Sequence, residues 1–225
     1  MNRTRIEWTT FTWNFIVGCL RGCGYCYARR QAKRFKHRCL RCYRFEPHTH
    51  PERLDQPLKV KKPALIFATS MSEPFGPWIP REWLEQILDV ARRCPQHVFQ
   101  LLTKCPEGAK RYRFPENCWI GTSVDDPDAL GRIDILRTVS APVRFVSFEP
   151  LLGRMKGLHL RGVDWAIIGA QTGPRAVEVD PQWVEEIIQD CRAASVPVFV
   201  KDNVNWPEQI REWPGVYHRP PVVGR

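Results

Sequence analysis

No apolar run in this chain approaches the roughly 20 residues that cross a bilayer. The opening stretch MNRTRIEWTTFTWNF has no apolar core of the kind a secretory leader carries, so no signal peptide is expected and the chain is read as cytoplasmic. Its cysteines are then expected to be mostly reduced. They number 9, an odd count partly gathered in one segment, which fits metal ligation better than a disulfide framework. There is no internal repeat beyond an alternation of strand and helix patterns. No paired carboxylates or His-rich constellation stand out, which places a hydrolase last among the readings.

Acidic residues are scarce against basic ones, 24 to 34, for a net charge of +10. Much of the excess falls in residues 21–62, at Arg21, Arg29, Arg30, Lys33, Arg34, Lys36, Arg38, Arg41, Arg44, Lys59, Lys61 and Lys62. Such a surface suits a polyanionic partner such as a nucleic acid, and it equally suits a merely solvated face.

What the chain does have is a rhythm. At 225 residues, 43% of them hydrophobic, it is long enough for one α/β barrel with a buried core. Apolar runs occur at 11–18, 64–69, 98–103, 118–124, 143–148, 165–170 and 196–201, each followed by polar or Gly/Pro residues. Near-continuous runs of this kind predict buried parallel strands. Helical patterns fall between several of them, at 80–94, 126–139 and 180–194, with Asp126 and Asp180 as expected N-caps and Pro80 suited to a first turn. Alternating strands and helices predict an α/β fold, a partial (β/α) barrel of about six or seven parallel strands. One domain is expected over 1–217, with a basic Cys/His-rich insertion at about 33–63 and a mobile tail at 218–225. Function on such a scaffold collects where strands end. That rule selects Cys19, Ser70, Ser72, Glu73, Lys104, Ser123, Asp125, Glu149, Gln171 and Lys201.

The stretch VGCLRGCGYCYARR places Cys19, Cys23 and Cys26 in a C-x3-C-x2-C spacing, with Tyr25 before the last. Three thiolates on one loop can hold three irons of a 4Fe–4S cluster. A zinc loop, or thiols with no ligand, are the alternatives. The spacing resembles the signature of the radical S-adenosylmethionine enzymes. That resemblance implies a fourth iron open to S-adenosylmethionine, which is cleaved reductively to a 5′-deoxyadenosyl radical that abstracts hydrogen from a substrate. It also implies an electron donor such as flavodoxin or ferredoxin. Further segments, among them IEWTTFTWNFIVGC, CPQHVFQLLTKCPE, WIGTSVDD, RFVSFEPLLG and DWAIIGAQTGP, resemble the phage-associated Gp37/Gp68 family of radical S-adenosylmethionine-like proteins, over about residues 6–203. That family is distantly similar to spore photoproduct lyase, a DNA repair enzyme, and implies a nucleic acid or nucleotide as substrate. Two departures stand out. Many relatives space the first two cysteines more widely, and they usually carry Gly-Gly-Glu-Ser-Gly where this chain has GAQTG, so Gln171 replaces a glutamate.

The resemblance also suggests cofactor-binding residues. Ser70, Ser72 and Glu73 follow the second strand, where superfamily members meet the methionyl amino group. Gly169 and Gln171 lie in the apolar-Gly segment that packs against adenine. The residues themselves allow plainer readings, a helix-capping cluster and a strand turning through glycine. Lys104, Glu149 and Lys201 are candidate catalytic charges, with mutual salt-bridging as the structural alternative. A second group, Cys39, Cys42, His48 and His50, fits a tetrahedral zinc site, although the histidines are closer together than usual. A second iron–sulfur cluster, or an exposed basic loop with idle thiols, is the other reading. Cys94, Cys105, Cys118 and Cys191 are expected in or near the core. The competing function is a non-catalytic nucleic-acid-binding protein stapled by metal.

Overall fold

Short apolar runs bounded by Gly, Pro and polar residues give the chain its strands. In a computed structural model, which describes residues 1–173 and 176–215, they are β1 (Asn2–Arg3), β2 (Phe11–Trp13), β3 (Ile16–Val17), β4 (His48–Thr49), β5 (Leu65–Ala68), β6 (Val98–Thr103), β7 (Cys118–Ser123), β8 (Val143–Phe148), β9 (Trp165–Ile168) and β10 (Val198–Val200). Eight of them form one sheet in the order β1-β2-β5-β6-β7-β8-β9-β10. All neighbours from β2 to β10 pair in parallel, and β1 is antiparallel at the edge. β3 and β4 form a separate antiparallel ribbon. Strand order follows chain order with no reversal, unlike a doubly wound sheet.

A parallel pair needs a long crossover, usually helical. α1 (Tyr27–Ala32) and α2 (Leu40–Arg44) lie between β3 and β4, α3 (Arg81–Arg93) between β5 and β6, and α4 (Pro106–Ala109) after β6. α5 (Gly131–Arg137) precedes β8, and α6 (Pro181–Ala193) precedes β10. Asp180 caps α6 as expected, its Oδ1 accepting from the Gln182 N–H at 2.9 Å. Asp126 does not cap with its side chain: it precedes a 3₁₀ turn, Pro127–Ala129, which separates it from α5. Pro80 sits one place earlier than expected, at the N-cap of α3.

The strands alternate strictly. Ile66, Phe99, Ile120, Val146, Ile168 and Val198 point to one face and meet Leu84, Ile87, Ile133 and Ile187 of the helices. Phe67, Trp119, Phe145, Trp165 and Phe199 point to the other, where Trp8 and Trp213 cover them. Trp165 stacks on Trp213 at 5.0 Å between ring centroids. Gly121 belongs to this aromatic face for a steric reason: a Cβ there would lie 2.3 Å from the Phe145 ring. Cys94, Cys105, Cys118 and Cys191 are buried, as expected.

The sheet does not close. The free edge of β10 is taken by the following segment, with Val200 N–H donating to Ile210 C=O and Glu212 N–H to Val198 C=O, both at 2.9 Å. Those bonds occupy the groups that a return to β1 would use. Among the described residues no helix is long and apolar enough to cross a membrane. The tail 218–225, expected to be mobile, lies outside the described residues.

Candidate functional site

The first cysteine loop leaves β3 through Gly18, whose φ is +97°. A Cβ at this position would stand 2.2 Å from the Glu46 carbonyl oxygen, so the site demands glycine. Gly18 N–H donates to Met71 C=O at 2.9 Å, and Ser72 Oγ donates to Gly18 C=O at 2.8 Å. Cys19 N–H then bonds Phe45 C=O at 3.2 Å. Cys26 is the N-cap of α1, its sulfur accepting from Arg29 N–H at 3.3 Å. Cys19, Cys23 and Cys26 are free thiols of intermediate exposure. Burial pushes the Cys19 thiol up to about 11; the Arg21 N–H opposes this, and Glu73, Cys23 and Cys26 add to it. A bound cation reverses that balance by stabilising thiolates.

Tyr25 anchors this loop to the strand ends. Its hydroxyl donates to Asp125 Oδ2, and Lys104 Nζ lies 2.8 Å from the same hydroxyl. Lys104 Nζ and Arg132 Nη1 reach Asp125 Oδ1 at 2.9 and 2.8 Å. Burial works to raise the Asp125 pKa, and the neighbours overcome it, with Lys104 first and then the Tyr25 and Arg132 hydrogen bonds, leaving it at about 2. Burial, and then the bond to Asp125, keep Tyr25 protonated well above its ordinary range. Arg30 completes the anchoring, donating to Tyr25 C=O at 3.0 Å and to Thr172 C=O at 2.9 Å.

The other expected site residues divide. Glu73 is buried and its two oxygens accept from Thr103 Oγ1 and from Lys104 N–H (2.8 Å for the latter), while burial pushes its carboxyl up. Ser70 Oγ bonds Asn14 Oδ1 at 3.1 Å, and Ser72 is spent on Gly18. Lys201 pairs with Glu149, whereas Lys104 pairs with Asp125. Both members of the first pair crowd Gly169, where a Cβ would come within 2.8 Å of Glu149 Cδ and 3.0 Å of Lys201 Cδ. Gln171 Oε1 accepts from Val177 N–H at 3.2 Å. Ser147, two residues below Glu149 on β8, is fully buried, and its hydroxyl has no hydrogen-bond partner among the described residues. The sequence reading singled out Asp125 only as a strand end and missed Arg132 and Ser147. Continuing the two-residue alternation of β7 and β8 past Ser123 and Ser147 points to Asp125 and Glu149 on the same face.

The second cysteine group lies beside the first loop. Cys39 caps α2, its sulfur accepting from Cys42 N–H at 3.4 Å. His48 and His50 follow on β4 and the residue beyond it. Cys42 Sγ is 3.4 Å from His48 Nε2 and 3.1 Å from His50 Nε2, and Cys39 Sγ is 3.6 Å from His48 Nε2. The ligand atoms of all four lie within 4.8 Å of one another, so the group can hold a metal ion. Burial pushes the Cys42 thiol up to about 12, with Cys39 adding to it, and burial lowers both histidines.

The chain matches the family described as "Protein of unknown function (DUF5131)" over residues 3–215. It belongs to the DUF5131 family. No curated protein and no solved structure matches it. In this DUF5131 chain, then, the chemistry must be read from the residues. Two cysteine sets lie on adjoining loops, one open beside a charged layer of strand ends, the other a compact four-ligand group.

Proposed function

We propose that this DUF5131 chain is a radical S-adenosylmethionine enzyme on a partial (β/α) barrel, its 4Fe–4S cluster held by Cys19, Cys23 and Cys26. The observation that carries the reading is the seat of those thiols at the C-terminal ends of sequentially ordered parallel strands, with Tyr25 tied to Asp125 and Lys104. The residues suit a cluster. Cys19 and Cys26 accept backbone N–H groups, bonds that a metal-bound thiolate keeps. Gly22 and Gly24 leave open space beside them, since a Cβ at either meets nothing within 4 Å.

S-adenosylmethionine fits a narrower set than the sequence suggested. Ser70, Ser72 and Glu73 are committed to protein partners and position the wall of the site. Lys104 stays with Asp125 and Tyr25, whereas Lys201 and Glu149, paired with each other beside Gly169, would exchange that pairing for the carboxylate and the ammonium of the cofactor, and the Gly169–Gln171 segment would meet its ring. When bound, the pair supplies abstraction of a hydrogen atom from an unactivated C–H bond.

The substrate class we favour is nucleic acid. No acidic residue lies between Glu7 and Glu46, and every Lys and Arg from Arg21 to Arg44 is exposed. Leu20, Tyr27, Leu40 and Tyr43 are exposed among them. Bases stack on tyrosine rings while the cations meet phosphates.

The test is anaerobic reconstitution with iron and sulfide, reduction by dithionite with S-adenosylmethionine, and chromatography for 5′-deoxyadenosine. Wild type should turn brown and release the nucleoside, and Cys23→Ala should do neither. A single-stranded oligonucleotide should bind with an affinity that falls steeply as salt rises. A colourless protein that never yields the nucleoside would sink the enzyme reading, and salt-insensitive binding would sink the substrate class.

A further inference from the structure

The insertion at about 33–63 carries a four-ligand group whose hydrogen bonds leave one position to fill. In an extended segment, residues two apart share a face, so His48 and His50 present their rings together. On a helix, residues three apart are neighbours, so Cys39 and Cys42 do the same. The β3–β4 ribbon, with Val17 opposite His48, sets one pair against the other.

Proton positions follow from the partners. His48 Nδ1 is 2.7 Å from the Glu46 carbonyl oxygen, which only accepts, so Nδ1 carries the hydrogen. His50 Nδ1 is 2.9 Å from Glu52 Oε1, and the same holds there. Both Nε2 atoms of the neutral rings therefore turn lone pairs inward, and they stand 3.1 Å apart. Two facing acceptors at that distance repel unless a proton or a metal ion lies between them. Cys42 Sγ, 3.1 Å from His50 Nε2 and 3.4 Å from His48 Nε2, adds a third donor of electrons to the same centre. Zinc bonds of about 2.0–2.1 Å to nitrogen and 2.3 Å to sulfur place tetrahedral ligand atoms roughly 3.3–3.8 Å apart. Four of the separations here, 3.1–3.6 Å, bracket the lower end of that range, and all four atoms lie within 4.8 Å of one another, so small side-chain adjustments complete the geometry. Two thiolates and two neutral imidazoles also balance a divalent charge, and an S2N2 set in this tetrahedral arrangement suits zinc.

We propose that Cys39, Cys42, His48 and His50 bind one zinc ion, which clamps the insertion and thereby sets the loop of Cys19. The linkage is direct. Cys42 and Phe45 pack in one apolar cluster with Val17, Ala28 and Met71, and Cys19 and Cys26 lie against it. The Phe45 carbonyl accepts the Cys19 N–H, and the Glu46 carbonyl that abuts Gly18 also accepts the His48 Nδ1–H. His50 N–H bonds Phe15 C=O at 2.8 Å, fastening the other end to the sheet side. The Nδ1 partners Glu46 and Glu52 hold each ring in orientation, as outer partners of zinc histidines do. This site does not depend on the radical-enzyme reading, because zinc content is read without iron or S-adenosylmethionine.

The experiment uses the full chain. Metal analysis should find about one zinc per chain in wild type and in the triple variant Cys19→Ala/Cys23→Ala/Cys26→Ala. Cys42→Ser and His50→Ala should each lose it, and Glu52→Gln should weaken zinc retention against a chelator by about 10–100-fold. Cobalt exchanged into the triple variant should give the visible absorption of a tetrahedral thiolate–imidazole site, and Cys42→Ser introduced into the same variant should abolish it. Wild type without zinc, zinc that leaves with the triple variant, or cobalt bound in octahedral geometry would each overturn the proposal.

Discussion

Asp125 is the residue on which the strand ends converge. It receives Tyr25 from the cysteine loop, Lys104 from the end of β6 and Arg132 from α5. Its carboxyl titrates at about 2 in the folded chain, below the ordinary 3.8. A depressed carboxyl stabilises the fold above its unfolded pKa and loses that contribution as pH falls through its folded one. The contribution at neutral pH is about 2 kcal/mol, and it drains between pH about 4 and about 2. Urea unfolding across that window should show it in wild type, and Asp125→Asn should flatten the profile by the same amount. An identical slope in both proteins would place the loop anchor elsewhere. Residues like this are hard to read from sequence. Asp125 was legible as a strand end, but its partners lie 100 residues back at Tyr25 and 7 residues on at Arg132. Glu73 shows the opposite difficulty. A carboxylate after a strand looked available to a ligand, and folding spent it on Thr103 and Lys104.

At the scale of elements, the sheet was legible, and the insertion was legible in its four candidate ligands but not in its secondary structure. Each apolar run from 64–69 onward became a strand, because a parallel strand covered on both faces must be apolar along its length. The insertion offered only short pieces with no period to read, and β4 has two residues. Its histidines are closer together than in the usual His-x3–5-His zinc pattern, and the extended chain needs only one residue between ligands that share a face. Gly18 is the joint between ribbon and cysteine loop. Gly18→Ala would require a left-handed backbone and push a methyl into the Glu46 carbonyl. The expected cost is about 3 kcal/mol. In a chain of this size that lowers the melting temperature by roughly 6–12 °C. A calorimetric scan checks it, and an unchanged melting temperature would mean that the loop does not lean on residue 46.

At the scale of the molecule, a sequentially ordered sheet brings the C-terminal ends of its parallel strands to one side, and two cysteine sets gather beside it. The edge of β10 is sealed by residues 210–212 and the second face by tryptophans, so the sheet stays open without presenting a free apolar strand. On the proposed function and the proposed zinc site, one short stretch of chain sorts two metals, a cluster on Cys19, Cys23 and Cys26 and a zinc ion on Cys39, Cys42, His48 and His50. The most direct test is metal and sulfide analysis of the protein purified and reconstituted without oxygen. The expected result is about four irons with matching sulfide and one zinc per chain, with the iron alone lost in Cys23→Ala, and with the zinc lost and iron retention weakened in His50→Ala, because the zinc clamp sets the Cys19 loop. Zinc at both sites with no iron retained, or iron bound equally well by Cys23→Ala, would contradict the account.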